Sequence, residues 1–243
     1  MIQSLSIRVT AGLGSTGKKT LLNDFTSYRG LPIERRRITM ATDTFDLIAL
    51  KDAAALLDDA EVMRECEKTD RLPYGFELWP ASLMLAEYLY RGEPGQGRRA
   101  IELGCGVGLV SIAAARKGWR IVATDCDPVP LQFAEFNAAT NVAEVEAFQM
   151  LDWHDPPSGG RFAGVFAADV LYQRCDHAPI LKCVDQLLEA DGLAVIADPN
   201  RSVADEFASL AEASGFRVEV ARTTASLDAK APVAGRLFVL RRS

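Results

Sequence analysis

The chain has 243 residues, a hydrophobic fraction of 49% and a formal net charge of −6. This length and composition favour one α/β domain with an N-terminal extension, and no apolar run approaches the roughly 18 residues that span a membrane. The first 40 residues are net basic and the remainder is net acidic. An acidic body argues against a broad nucleic-acid surface, because such a surface needs Lys and Arg to neutralise phosphates.

The cysteines and histidines point to a reduced compartment and to no metal. The cysteines are odd in number and form no C-x-x-C pair; they are Cys66, Cys105, Cys126, Cys175 and Cys183. We therefore expect reduced thiols and a cytoplasmic protein. The N-terminus lacks the apolar core and cleavage pattern of a signal peptide. With His154 and His177 as the only histidines, the sequence argues against a multi-ligand metal site.

Residues 1–32 are predicted to be a flexible basic leader. Within them, residues 12–18 match the G-x-x-x-x-G-K pattern of a phosphate-binding loop. Lys19 stands where a Ser or Thr would hold Mg²⁺, and no helix with a core face follows. We interpret the match as a decoy, and keep binding of a phosphate ligand there as an alternative function.

Residues 33–75 are predicted to be a small N-terminal β/α extension. Alternating apolar residues indicate a β-hairpin over 33–50 with its turn near 42–44. A single helix is expected from Asp52 to about Glu65, followed by a loop. The third unit, residues 76–243, opens with a buried helix, because Pro80 fits a first helical turn and nearly every residue after it is apolar.

A strand, a glycine-rich turn and a helix follow, and they indicate a nucleotide-type site. The glycines of the turn are Gly104, Gly106 and Gly108. A dinucleotide site requires G-x-G-x-x-G/A, and here Leu109 occupies the last position. Glu102, two residues before the first glycine, would repel a pyrophosphate but suits the ammonium group of an amino-acid-bearing ligand. The turn therefore predicts S-adenosylmethionine as the ligand.

Strands and helices alternate through the rest of the chain, which predicts parallel βαβ units. The final two strands lack a helix between them, so one of them should run antiparallel. The predicted fold class is α/β: a Rossmann-like, doubly wound, mostly parallel seven-stranded sheet with one antiparallel strand, plus the N-terminal hairpin and helix.

Polar residues at successive strand ends complete the predicted ligand site. Asp125 ends the strand after the glycine motif, at a spacing that suits hydrogen bonds from ribose hydroxyls. Asp152 and Trp153 follow the next strand and resemble an adenine element, with a polar group and an aromatic face. The fourth strand is predicted over 162–170, and Asp169 is the acid at its end. Ala168 precedes this acid, where a small residue would allow close approach of the ligand.

Four segments in this order resemble the class I, seven-β-strand S-adenosylmethionine-dependent methyltransferases. They are the glycine motif, residues 78–81 (Leu-Trp-Pro-Ala), residues 151–153 (Leu-Asp-Trp) and residues 168–172 (Ala-Asp-Val-Leu-Tyr). The last three narrow the resemblance to methyltransferase family 16, the lysine methyltransferase-like group, over residues 33–241. The resemblance implies that Trp79 lines the S-adenosylmethionine pocket. The candidate cofactor residues are Trp79, Glu102, Gly104, Cys105, Gly106, Gly108, Asp125, Asp152, Trp153 and Ala168.

Asp169 and Tyr172 are the candidate catalytic residues. Methyl transfer needs a neutral amine, and a lysine with a pKa of about 10.4 must first lose its proton. A carboxylate can orient the ammonium group, a partly apolar pocket favours the neutral amine, and a tyrosine can form a wall and align the nitrogen. Residues 198–201 (Asp-Pro-Asn-Arg) are similar to the Asp-Pro-Gly-Arg of lysine methyltransferases acting on an electron-transfer flavoprotein subunit, with Asn200 departing from that pattern.

The expected acceptor is therefore a lysine side chain of a protein. A small-molecule amine is the alternative acceptor, and a cofactor- or nucleotide-binding module without turnover is the alternative class. The Asn/Asp-Pro-Pro-aromatic run of amino-methylating nucleic-acid enzymes is absent from the fourth strand end. We expect a monomer that binds neither nucleic acid nor membrane.

Overall fold

The computed structural model describes residues 26–69, 72–157, 159–227 and 231–243. Most of the predicted leader, and with it the glycine-lysine motif at 12–18, lies outside the described residues. Among those described, no helix is both long enough and apolar enough to cross a membrane.

A small antiparallel sheet forms the N-terminal extension, in the order β1-β2-β3. Its strands are β1 (Ser27–Tyr28), β2 (Leu31–Met40) and β3 (Asp43–Leu50). The predicted hairpin is confirmed. The predicted leader, however, extends too far, since residues 27–32 belong to this sheet. Tyr28 holds them in place by stacking on Phe76, with 5.2 Å between ring centroids.

The helix predicted from Asp52 is interrupted. A 3₁₀ helix (Ala54–Asp58) ends before α1 (Ala60–Thr69) begins. The break occurs at Asp59, whose carboxylate accepts hydrogen bonds from the backbone N–H groups of Glu61 (2.8 Å) and Val62 (3.2 Å). A side chain that caps a new helix in this way ends the segment before it.

A second 3₁₀ helix (Tyr74–Phe76) leads into α2 (Pro80–Arg91), which starts at the proline as predicted. The other helices are α3 (Leu109–Arg116), α4 (Pro128–Thr140), α5 (Arg174–Leu187) and α6 (Phe207–Ala213). A 3₁₀ turn (Ser202–Ala204) without a side-chain cap precedes α6.

The large sheet has seven strands in the order β6-β5-β4-β7-β8-β10-β9. The strands are β4 (Arg99–Leu103), β5 (Arg120–Asp125), β6 (Ala147–Met150), β7 (Phe162–Ala168), β8 (Leu188–Asp198), β9 (Phe216–Ala225) and β10 (Val233–Arg242). Only β10 runs against its neighbours β8 and β9; the pairs from β6 to β8 are parallel. The predicted fold class is confirmed.

The sheet separates two hydrophobic cores, because successive side chains of a strand point to opposite faces. On β7, Phe166 packs in the core formed with α2, α3, α4 and the N-terminal hairpin. Its neighbour Val165 packs in the core formed with α5 and α6. Both faces of the sheet are thus covered, and ligands have access at the edge where the parallel strands end.

Candidate active site

The glycine motif lies at the carboxyl end of β4, where its glycines present backbone groups without side chains. Gly106 adopts φ +50°, and a Cβ added to it would lie 3.0 Å from the carbonyl oxygen of Gly75. Its N–H donates to Oδ2 of Asp125 at 2.9 Å. Glycine at this position therefore lets the turn, the 3₁₀ segment before α2 and the end of β5 converge.

A cavity of about 520 Å³ opens above the carboxyl ends of β4, β5 and β7, a size common for small-molecule sites. It brings together most of the predicted cofactor residues: Trp79, Glu102, Gly104, Cys105, Gly106, Asp125, Trp153 and Ala168. Both predicted catalytic residues, Asp169 and Tyr172, also line it.

Two predicted cofactor residues do not line this cavity. Gly108 is the residue from which α3 starts, and it lies against Ala134 of α4. The carboxylate of Asp152 accepts the backbone N–H of His154 at 2.9 Å and lies 3.2 Å from Nδ1 of the same residue. The polar half of the predicted adenine element thus faces its own loop, while the indole of Trp153 contributes to the cavity wall.

Glu102 is buried beneath the cavity, with 1% of its surface exposed. Burial raises the pKa of its carboxyl to about 8. The hydroxyl of Ser111 donates a hydrogen bond to it. A cationic group in the cavity would favour the ionised carboxylate.

Asp125 ends β5 with both carboxylate oxygens engaged by backbone. Oδ2 accepts from Gly106, and Oδ1 accepts the N–H of Asp127 at 3.1 Å. Burial raises the pKa of Asp125 to about 6, so the group is ionised at neutral pH. Each oxygen keeps a second lone pair, and its predicted role with ribose hydroxyls stays a prediction.

These residues fit S-adenosylmethionine. Gly104 and Gly106 line the cavity, and at Gly106 an added Cβ would lie 3.0 Å from the carbonyl oxygen of Gly75, so the turn requires a residue without a side chain there. Glu102 and Asp125 would hold the amino group and the ribose, and Trp153 would offer an aromatic surface. Among the described residues, no group of three or more His, Cys, Asp or Glu side chains could hold a metal ion.

A second cavity, of about 300 Å³, shares Tyr74, Trp79, Asp169 and Tyr172 with the first. Gln173 and Arg201 complete its lining. The Tyr74 ring lies edge-on to Tyr172 (5.5 Å) and to Trp79 (5.9 Å). The indole N–H of Trp79 donates to the carbonyl oxygen of Tyr74 at 2.8 Å. Three contacting aromatic residues therefore line both spaces.

Asp169 lies at the junction of the two cavities in a strained conformation, with φ +59°. Its N–H donates to the carbonyl oxygen of Ala197 at 2.9 Å. Oδ1 accepts two hydrogen bonds from Arg201, from Nε at 3.0 Å and from Nη2 at 2.5 Å. Burial raises the pKa of Asp169, and the Arg201 guanidinium opposes that shift.

Tyr172 presents a neutral hydroxyl at this junction. Burial, with a smaller contribution from the charge of Asp176, raises the pKa of its phenol above the usual value. A neutral phenol can donate a hydrogen bond or accept one, as alignment of an acceptor nitrogen requires.

Two residues of the site, Tyr74 and Arg201, were not predicted from the sequence. Tyr74 lies in a stretch interpreted as loop, and its proximity to Trp79 and Tyr172 depends on long-range packing. The sequence contained a signal for Arg201, namely the similarity at residues 198–201. That similarity did not indicate the contact of Arg201 with Asp169.

The comparisons place the chain among known proteins. A family model described as lysine methyltransferase matches residues 58–212. The chain belongs to this family. It is 30% identical over 145 residues to protein N-lysine methyltransferase METTL21A of Danio rerio, covering 56% of this chain and 66% of that protein. It is 31% identical over 139 residues to EEF1A lysine methyltransferase 3 of Mus musculus, covering 54% and 59%.

Among solved structures, the fold is similar to a TehB-like SAM-dependent methyltransferase from Corynebacterium glutamicum. The TM-score is 0.52 at 20% identity, covering 79% of this chain and 100% of that one. The predictions of family, fold class and cofactor are thereby confirmed. The chain spans only about 59% to 66% of the two relatives named above.

Proposed function

We propose that this protein is an S-adenosylmethionine-dependent N-methyltransferase that acts on the side-chain amine of a protein lysine. One observation carries the proposal: a ligand-sized cavity and a second, smaller cavity meet at Asp169 and Tyr172. A donor in the first space and an amine in the second would meet at these two side chains.

When bound, the cofactor supplies a sulfonium methyl group; the amine lone pair forms the new N–C bond while the C–S bond breaks and its electron pair stays on sulfur. The acceptor must lose its ammonium proton beforehand, since the lone pair is the nucleophile. The tasks of the chain are therefore to admit the amine, to favour its neutral form and to align it.

The second cavity suits these tasks. Tyr74, Trp79 and Tyr172 form an apolar wall that disfavours a charged ammonium group. Asp169 offers a carboxylate oxygen to an amine N–H, and the Tyr172 hydroxyl offers a second polar contact. Alignment in such a pocket contributes more than strong base catalysis does.

A protein acceptor is favoured over a small-molecule amine. The loop that lines both cavities exposes two large side chains, Leu72 (41% exposed) and Tyr74 (39% exposed). Exposed apolar groups beside a site favour contact with a macromolecule. The family description and the printed names of the relatives, both lysine methyltransferases, support the same choice.

We also propose that the enzyme is a monomer that acts in the cytoplasm. The five free cysteines support a reducing compartment. Size-exclusion chromatography with light scattering tests the monomer, and imaging of the tagged protein tests the compartment.

The function is tested by incubating the purified protein with methyl-labelled S-adenosylmethionine and a cell lysate. We expect label on lysine side chains of proteins. Asp169→Ala should reduce labelling about 100-fold, at the lower end of what a positioned proton-accepting group contributes, and Tyr172→Phe should reduce it by less, about 10-fold. Asp191→Ala, an exposed aspartate at the far end of β8, serves as the matched control.

Calorimetry should show that both site variants still bind S-adenosylmethionine. Label confined to small molecules would contradict the proposed acceptor. Labelling that survives both substitutions would contradict the roles of Asp169 and Tyr172. Binding of ATP without binding of S-adenosylmethionine would instead favour the nucleotide-binding alternative.

A further inference from the structure

The two carboxylate oxygens of Asp169 are in different situations. Oδ1 accepts both hydrogen bonds from Arg201. Oδ2 is buried and has no hydrogen-bond partner among the described residues. Only 4% of the Asp169 side chain is exposed, and it lines both cavities. A buried acceptor without a donor is costly and rare, so Oδ2 is the oxygen left for a donor on the acceptor.

The backbone of Arg201 is held by hydrogen bonds to Asp198 and Arg236. Its backbone N–H donates to Oδ1 of Asp198 at 2.9 Å, and its carbonyl oxygen accepts from Nη2 of Arg236 at 2.7 Å. Arg236 in turn donates through Nε to Oδ1 of Asp198 at 3.1 Å and contacts Asp205 at 2.8 Å. These contacts anchor the backbone of Arg201 at the ends of β8 and β10, from where its guanidinium reaches Asp169.

The side chains of Asp169, Arg201, Asp198 and Arg236 carry alternating charges that cancel in pairs. Asp169 and Asp198 are each paired with a guanidinium, Arg201 and Arg236 respectively. An ammonium ion that approached Oδ2 would be attracted by Asp169 and repelled by Arg201, whose guanidinium lies on the other carboxylate oxygen and reduces the net attraction. A neutral amine could donate an N–H to Oδ2 without that repulsion.

We propose that Arg201 is a positioning residue that cancels the charge of Asp169, so that the second cavity selects the acceptor as a neutral amine. This inference rests on the proposed function and deepens it. Without Arg201, Asp169 would be a lone buried carboxylate, which holds an ammonium group in its charged and unreactive form.

Other ionisable groups also face this junction. Tyr74 lies on the segment before α2, Asp125 ends β5 and is followed by Cys126, and Asp176 lies on α5 near Tyr172. Asp125, with a pKa of about 6, keeps its charge throughout a titration above pH 8. Its effect is common to the wild type and the variants, so comparison of the variants isolates Arg201.

The test uses n-butylamine as a mimic of the lysine side chain, with S-adenosylhomocysteine bound so that no transfer occurs. Saturation-transfer NMR measures its affinity between pH 8 and pH 9.5. The wild type should bind about tenfold more tightly for each unit of pH, because the neutral fraction of the amine rises tenfold per unit below its pKa. Arg201→Gln should flatten this dependence, since butylammonium then pairs with Asp169.

Arg201→Lys keeps the charge and should keep the wild-type slope, whereas a merely structural role would be disturbed by both substitutions. Arg174→Gln, which removes an exposed ion pair with Glu206, is the control. An unchanged slope in Arg201→Gln, a flat profile in the wild type, or no binding by the wild type would overturn the proposal. A wild type that shows the expected slope but labels no protein lysine would contradict the proposed function alone.

Discussion

At Asp169, strain, burial and an ion pair coincide on one side chain. A non-glycine residue with positive φ costs of order 1 kcal/mol and tends to occur at functional sites. Here the conformation is fixed by the hydrogen bond to Ala197, and it turns the carboxylate toward Arg201 at the junction of two cavities. Residue type and strand position were enough to predict Asp169 from the sequence, but its arginine partner depends on the packing of β8 against β7.

The raised pKa of Glu102 predicts that binding of S-adenosylmethionine releases a proton. With a pKa of about 8, its carboxyl is largely protonated at pH 7 before a ligand binds. The ammonium group of S-adenosylmethionine favours the ionised form, so binding at pH 7 should release about one proton. The affinity should accordingly rise with pH up to about 8 and then level off. Calorimetry in buffers of different ionisation enthalpy counts the released proton.

Glu102→Gln should abolish this proton release and weaken the affinity at least tenfold. Glu87→Gln, which removes a partly exposed acid on α2, should change neither quantity and serves as the control. Equal proton release by Glu102→Gln and the wild type would assign the proton to another group.

At the scale of elements, the start of α3 is set by its contact with α4. Gly108 has φ +88°, and an added Cβ would lie 2.8 Å from Cβ of Ala134. Gly215, after α6, has nearly the same φ (+89°), but nothing lies within 4 Å of its added Cβ. Alanine substitutions at these two glycines therefore distinguish the cost of backbone strain alone from the cost of strain combined with close packing.

We expect Gly108→Ala to lower the free energy of unfolding by about 3 kcal/mol, because backbone strain and overpacking add. Gly215→Ala should cost only about 1 kcal/mol, from strain alone. Urea unfolding measures both values. Equal losses in the two variants would show that α4 yields to the added methyl group.

Periodicity and turn residues predicted most elements of the large sheet, because its strands are apolar runs bounded by Gly, Pro and Asp. They failed where a single side chain or a register irregularity decides the boundary. Asp59 divides a helix that was predicted to be continuous. β8 begins at Leu188 and runs through Asp191 and Gly192, residue types that are typical of turns, because the strand continues past an irregularity in its pairing with β7.

In the site, too, the predictions from the sequence failed where a single side-chain orientation or a long-range contact decides the arrangement. Residues at strand ends were predicted together because parallel strands end at one edge of the sheet, and most of them do line one cavity. Asp152 differs because its carboxylate turns back to His154, a local choice that spacing does not encode. Tyr74 joins the site only through contacts between distant segments.

At the scale of the whole molecule, Asn137 of α4 and Asn141, the residue that follows this helix, join the N-terminal hairpin to the helices that cover the large sheet. The Asn137 amide accepts the N–H of Ile48 (2.7 Å) and donates to the carbonyl oxygens of Ile48 (3.0 Å) and Val107 (2.9 Å). Asn141 makes the equivalent pair of bonds to the backbone of Asp46. One side chain, Asn137, thus connects the hairpin with the glycine motif.

Asn137→Ala should lower the free energy of unfolding by about 3 kcal/mol, since it leaves buried backbone groups without partners. Hydrogen exchange with mass spectrometry should show faster exchange in β3, while β4 and β7 stay protected. Gln132→Ala, on the same helix but only weakly bonded to Pro128, is the control. Uniformly faster exchange across the molecule would contradict a local role for Asn137.

The position of β10 has a consequence for how the protein is made. β10 follows β8 and β9 along the chain, yet it lies between them and pairs with both. It also carries Arg236, which holds Asp198 and the backbone of Arg201. On the ribosome, β8 and β9 are synthesised before the strand that joins them. A nascent chain that still lacks β10 therefore has the glycine motif and Asp169, but not the contacts of Arg236 that anchor the backbone of Arg201.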